Sequence, residues 1–190
     1  IGEWVLREAC RQHQQWRQLG LGSIKVAVNL SARQFLLSDL PGKIGNILAE
    51  TGAEPKCIEL EITETLLMED MEFSKKTLQE LRSMGMSIVI DDFGTGYSSL
   101  GYLKQFPIDC VKIDRSFVQD LPSDADDAAI TRAIIALANA LRLKVVAEGL
   151  ETAEQLAFLT AERCHSAQGF LFSKPLPANA ITEVLTNPAW

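Results

Sequence analysis

The stretch SIVIDDFGTG, residues 87–96, decides how the rest of the chain is read. Ile88, Val89 and Ile90 form a β-branched run that is apolar on both faces of an extended chain. That is the pattern of a strand buried in a parallel sheet. The run ends in two adjacent carboxylates, Asp91 and Asp92, and a turn containing Gly94 and Gly96 follows. In α/β folds the C-terminal ends of strands are where functional groups are presented.

The same design repeats on either side. IKVAVNL (24–30), CIELEIT (57–63), DCVKID (109–114) and LKVVAEG (143–149) read as strands, with a weaker one at Gln168–Phe172. Helical patterns lie at 38–52, 71–85, 124–141 and 152–159, with a short one at 99–106 and a last one at 179–185. In the helix at 124–141, Ile130, Ala133, Ile134, Leu137 and Leu141 mark the expected buried face. Residues 1–20 are helical too, with Val5, Leu6, Ala9, Cys10, Trp16 and Leu19 at helical spacing and Gly20 as the stop. Strands alternating with such helices mean βαβ units and a parallel sheet. The expectation is one α/β domain, 1–190, with six strands. The first helix begins at Ile1 with no capping residue before it, so the chain is expected to be a piece of a longer polypeptide.

Composition narrows the function. Of 190 residues 47% are hydrophobic and 23% charged, an ordinary soluble globular balance. No apolar run approaches the roughly 18 residues of a membrane span, and no signal peptide is visible. This segment is expected to make no direct membrane contact and to be cytoplasmic. A net charge of −7 repels a nucleic acid polymer but leaves room for a small phosphorylated ligand in a metal-lined pocket. Cys10, Cys57, Cys110 and Cys164 have no CxxC spacing and read as reduced thiols. His13 and His165 stand alone, which argues against a histidine metal site.

The strand ends carry the chemistry. The strand at 24–30 delivers Asn29, and ELEITE delivers Glu59, Glu61 and Glu64. Asp91 and Asp92 follow, then Lys112 and Asp114, then Glu148 and Glu151 in AEGLE. A DD pair alone is more often a helix cap or a solvated turn. Glu59 lies deeper than Glu61 and reads as the partner of a basic residue. Five successive strands ending in polar groups point instead to a functional rim. Converging carboxylates repel one another, and a divalent cation resolves the conflict. An all-oxygen set suits Mg2+, Mn2+ or Ca2+ rather than zinc. Asp91 and Asp92 point to opposite sides of an extended chain, so the bend into Phe93-Gly94 is expected to bring both to the ions. Lys112, flanked by apolar residues, is placed to orient a water, and Glu148 to complete a second metal site or take a proton. The turn GTGYSS (94–99) is either a loop that closes on substrate or a simple glycine turn.

Together, VNLS with Asn29, EITE with Glu61 and Glu64, DDFGTGYSSL (91–100), KID (112–114), EGLE (148–151) and QGFLFSKPLP (168–177) resemble the EAL family of bacterial cyclic di-GMP phosphodiesterases. The resemblance runs from Ile1 to about Leu185. It implies a modified (β/α)8 TIM-like barrel with one antiparallel strand, and hydrolysis of cyclic di-GMP to linear pGpG. It further implies two ions of Mg2+ or Mn2+, with Ca2+ inhibitory. By motif, Asn29, Glu61, Asp91 and Asp92 match metal ligands. Lys112 matches the lysine that holds the attacking water, and Glu148 the essential glutamate near the second metal. Glu64 matches the anchor of the loop after the DD pair, and Gln168 a site glutamine, with Asp114 and Glu151 in support.

Two departures stand out. The Glu-Ala-Leu motif itself is absent, so the N-terminal strands, including one metal ligand, are expected to be missing from this chain. Arg163 and His165 occupy positions where the family usually has Gly and Asp. Three functions compete: a metal-dependent phosphodiesterase, a cyclic di-GMP receptor without turnover, and a piece inactive and aggregation-prone by itself. Retention of every visible ligand favours a catalytic parent. Relatives commonly form homodimers and carry upstream sensor or GGDEF domains.

Overall fold

The computed structural model describes residues 1–21, 24–96 and 103–186. The chain forms two compact units, one of Ile1–Glu61, Lys76–Ile88 and Pro175–Trp190, the other of Ile62–Lys75 and Val89–Lys174. Within the units the strands pair in chain order, β1 with β2, and β3 to β6 in succession. Right-handed βαβ connection delivers that order naturally.

In the first unit lie α1 (Gly2–Gln18), β1 (Val26–Asn29), α2 (Ala32–Phe35) and α3 (Leu40–Thr51), followed by a 3-10 turn at Pro55–Cys57. The strand β2 (Ile58–Thr63) begins there, and α4 (Glu64–Glu69) and α5 (Met71–Ser83) follow it in the chain. α1 buries Leu6, Cys10, His13 and Trp16, one stripe at three- and four-residue spacing. Val5 and Leu19, expected on that face, are 38% and 64% exposed. Leu6, Cys10 and Trp16 keep the expected stripe, and His13 joins it. Trp16 donates its Nε1–H to Thr182 Oγ1 at 2.8 Å, tying α1 to α8 (Ala178–Thr186). α2 escaped the pattern reading because it is a single turn; Ser31 and Gln34 stabilise it as a capping box. α3 stops at Gly52, whose φ of 68° is the left-handed cap that glycine adopts without strain. β1 pairs with β2 in parallel, setting Asn29 opposite Glu61. Glu59 pairs with Lys25 at 2.6 Å, as the sequence suggested.

The second unit holds most of β3 (Ser87–Phe93), then β4 (Cys110–Ile113), a 3-10 turn at Arg115–Phe117, α6 (Ala125–Ala140), β5 (Lys144–Ala147), α7 (Ala153–Ala161) and β6 (Ser166–Ala167). The pairings β3–β4, β4–β5 and β5–β6 are all parallel. All four residues of β4 are buried, which matches its apolar reading on both faces. α6 starts at Asp124, whose carboxylate accepts the N–H groups of Asp126 and Asp127.

Two expectations need correction here. α6 buries Ala128, Thr131, Ile134, Ile135 and Ala138, and Ile130 is 39% exposed. The helix is apolar nearly all round, so periodicity alone could not choose a face. The small Ala128 and Ala138 and the Thr131 hydroxyl, which donates to Phe117 O at 3.1 Å, decided it. The last strand lies at Ser166–Ala167, not Gln168–Phe172. Beyond Gln168 the chain turns, with Phe172 N–H donating to Gly169 O at 3.1 Å. Of the short helix expected at 99–106, residues 99–102 lie outside the described residues.

Arg163 sits in the left-handed region at φ 61°. A side chain there costs roughly 1–2 kcal/mol, partly offset by the extra freedom glycine has in the unfolded chain. Arg163→Gly is expected to raise the melting temperature by about 1–3 °C, measured by calorimetry. An unchanged or lower value refutes this.

Candidate active site

The DD pair is shaped by a bulge. Val89 and Ile90 face Cys110 and Val111, but Phe93 faces Ile113, so Asp91 and Asp92 together stand against Lys112. Asp92 takes φ 52°, in the left-handed region that Asp tolerates better than most residues. The bend expected at Phe93-Gly94 therefore starts one residue earlier, inside the pair, and Gly94 continues it at φ 99°. Ile90 and Phe93 stay buried while the carboxylates between them turn away from the core.

Lys112 is 6% exposed. Its Nζ lies 3.2 Å from Asp91 Oδ1 and 2.5 Å from Glu148 Oε1. Glu148 follows β5 directly, and its Oε1 also accepts from Gln168 Nε2 at 2.7 Å. Gln168 stands just past β6, where its N–H donates to Ala147 O at 2.8 Å. The parallel register of β3 to β6 thus lines up Asp91, Lys112, Glu148 and Gln168 as one network.

Asp92 and Asp114 form a second pair. Burial pushes the Asp92 carboxyl up, and the negative charges of Asp91 and Asp114 push it further; Lys112 only partly opposes them. Burial also pushes the Asp114 carboxyl up, but the Ser116 hydroxyl and N–H outweigh it and bring the group down. Asp114 accepts from Ser116 N at 2.9 Å and Oγ at 2.5 Å, capping the 3-10 turn.

The remaining predicted residues are placed as follows. Glu64 is buried at the start of α4 and accepts from Gly94 N–H at 3.4 Å. Its expected partners at 97–99 lie outside the described residues. Asn29 and Glu61 lie opposite one another in the first unit. Glu151 does not join the carboxylate network; it pairs with Arg115 at 2.7 Å. Cys10, Cys57, Cys110 and Cys164 form no disulfide. Sequence reasoning missed Arg115 and Gln155; the second was detectable, because TAEQ at 152–155 is a capping-box pattern.

The donor set suits hard divalent cations. Asp91, Asp92, Asp114 and Glu148 carry more negative charge than Lys112 neutralises, and every candidate donor atom is oxygen. Among the described residues, no three His, Cys, Asp or Glu side chains are yet gathered closely enough to hold an ion by themselves.

Two expected results follow. The raised Asp92 group stabilises the metal-free fold while protonated and loses that contribution as pH rises through its folded-state value. In chelator at pH 7, Asp92→Asn should melt about 1–3 °C higher than wild type. The gain should shrink as pH falls toward the carboxylate range; a variant that melts lower at pH 7 contradicts this. Glu64→Ala removes the acceptor at Gly94. It should speed amide exchange of Gly94 about tenfold or more, the equivalent of one lost hydrogen bond of ~1.4 kcal/mol; unchanged exchange would show that the contact holds nothing.

Known proteins are similar to this chain. MucR of Pseudomonas aeruginosa, named a bifunctional diguanylate cyclase/cyclic di-GMP phosphodiesterase, is 50% identical over 181 residues, which is 95% of this chain and 26% of that protein. The solved structure of the PaMucR phosphodiesterase in complex with c-di-GMP has a TM-score of 0.92 at 50% identity, covering 95% of this chain and 73% of that one. Klebsiella pneumoniae BlrP1, solved with manganese and cyclic di-GMP, has a TM-score of 0.79 at 34% identity, covering 90% and 44%. The chain spans about a quarter of the length of the curated relatives it matches. Residues 1–175 match the EAL domain family. With its parallel α/β sheet and the Asp91–Lys112–Glu148–Gln168 network at the strand ends, the chain belongs to that family.

Proposed function

We propose that this domain hydrolyses one phosphodiester bond of cyclic di-GMP to give linear pGpG, using Mg2+ or Mn2+. The observation that carries the reading is Lys112, buried and held between Asp91 and Glu148. MucR and its c-di-GMP complex support the substrate, and the manganese complex of BlrP1 supports the ion class. Asn29, Glu61, Asp91 and Asp92 are the proposed ligands of two ions, with Asp114 beside Asp92. Bound there, the ions would lower the pKa of water and neutralise charge on the phosphoryl oxygens.

The chain's own residues do the rest. Lys112, its ammonium held by Asp91 and Glu148, orients the attacking water beside those carboxylates. Glu148 accepts a proton from that water, and Gln168 holds the carboxylate in place. The hydroxyl adds to phosphorus, the P–O3′ bond breaks, and the proton ends on the departing 3′ oxygen. Glu64 keeps Gly94 in position at the edge of the site.

The domain is further proposed to act in the cytoplasm, as a homodimer linked to upstream sensor or GGDEF domains. Its thiols, none of them in a disulfide, suit that compartment. Among the described residues no helix is long and apolar enough to cross a membrane.

The test is chromatography of cyclic di-GMP after incubation with the intact protein. pGpG should accumulate with Mg2+ or Mn2+, stop on adding chelator, and fall when Ca2+ is substituted. Tight binding without pGpG would make the domain a receptor instead.

A further inference from the structure

The loop that carries Glu148 runs from β5 to α7 and owes little to regular structure. Four of its backbone donors can be traced. Glu148 N–H donates to Ile113 O at 3.1 Å and Leu150 N–H to Gln168 O at 3.1 Å. The next two, from Glu151 and Thr152, both go to a single atom, Gln155 Oε1, at 2.7 and 2.9 Å. Gln155 is 3% exposed. Its other end reaches across the fold: Nε2 donates to Gln119 O at 2.8 Å, 36 residues away in sequence. Gln119 follows the 3-10 turn that Asp114 caps, and its own N–H donates to Arg115 O at 3.0 Å.

A helix cap needs only an acceptor at this position. The donor half of the amide is surplus to capping, and it joins the loop after β5 to the loop after β4. Those loops follow Lys112 and Glu148 by a few residues each. We infer that Gln155 is a positioning residue of the candidate active site, whose side-chain amide sets the distance between Glu148 and Lys112 by locking one loop to the other. It touches neither substrate nor ion. The inference rests on the proposed phosphodiesterase reading for its kinetic consequence, and on the structure alone for its mechanical one.

Glu is the natural discriminating substitution. Gln155→Glu keeps an acceptor for the Glu151 and Thr152 N–H groups, and Glu is itself a good capping-box residue. It loses the donor and sets a carboxylate against the Gln119 carbonyl. The intact wild-type and Gln155→Glu proteins are compared in steady-state hydrolysis of cyclic di-GMP across pH and in amide exchange. The expected result is a kcat about tenfold lower with KM within about twofold, the signature of a misplaced reacting group rather than lost binding. The pH–rate profile should shift, and the Leu150–Thr152 amides should exchange about tenfold faster. Unchanged kcat, profile and exchange in Gln155→Glu overturn the inference.

Two further outcomes are decisive. Should Gln155→Glu fail to fold, wild-type exchange decides: Glu151 and Thr152 amides as slow as those of Val145 and Val146 support the tether, and loop-like rates overturn it. Should the wild-type protein make no pGpG, the proposed function fails by itself. The change in exchange on Gln155→Glu then decides whether the amide locks the loops.

Discussion

Lys112→Met is expected to lower the rate of pGpG formation by on the order of 10³-fold, within the range by which positioned proton-handling groups accelerate reactions. Met fills similar space without a charge or donor. The loss is expected in kcat, with cyclic di-GMP affinity changed far less. Stability should fall as well. Asp91 Oδ1 and Glu148 Oε1 lie 3.2 and 2.5 Å from the ammonium, and its removal leaves two largely buried carboxylates facing each other. Breaking a buried pair costs about 3–5 kcal/mol; here both carboxylates are partly hydrated, so about 2 kcal/mol is expected. Stopped assays with pGpG quantified by chromatography give the rate, and denaturant unfolding gives the stability. A variant with near wild-type turnover would remove Lys112 from the mechanism. A variant that loses turnover because it has unfolded would show up in the same unfolding measurement.

Asp91→Asn is the second large effect, and it separates charge from shape. Asn keeps the size and one oxygen but removes the negative charge and adds two donors. Its one oxygen can still accept from Lys112, but without the charge it holds the ammonium more weakly, and the N–H groups replace the other carboxylate oxygen. Divalent ion affinity follows ligand charge and number, so Mn2+ binding should weaken by at least about 100-fold. Hydrolysis should fall by about 10³-fold or more, through lost ion and misplaced lysine together. Mn2+ binding is measured by calorimetry or electron paramagnetic resonance on the same protein used for turnover. If Mn2+ binds unchanged while turnover falls, Asp91 acts only through Lys112 and is not an ion ligand. If both are unchanged, the assignment of the DD pair is wrong.

Much of this was legible from residue order. Strand and helix alternation, the apolar β-branched runs and the polar group closing each run are local properties. A buried parallel strand needs apolar residues on both faces, so polar groups gather toward its ends. Asn29, Glu61, Asp91, Lys112 and Glu148 were singled out as candidates because they lie toward strand ends, and Glu59, which lies deeper, was set aside and pairs with Lys25. Glycines at helix ends were equally plain, because the left-handed cap at Gly52 suits glycine above other residues.

Other features depended on contacts between distant segments. The buried face of α6 was invisible because its sequence is apolar nearly all round, and packing of Ala128 and Ala138 chose among equivalent faces. The bulge at Asp91 and Asp92 is a register shift against β4, which no property of the two residues announces. Glu151 carries the same chemistry in sequence as Glu148, three positions earlier, yet one pairs with Arg115 and the other with Lys112. Gln155 reads locally as a helix cap, and only the fold brings the Gln119 carbonyl to its second end. Local periodicity and polarity therefore determined the elements and the candidate groups. Register, packing and long-range hydrogen bonds decided which of those groups meet, because such contacts join residues tens of positions apart and leave no pattern at short spacing.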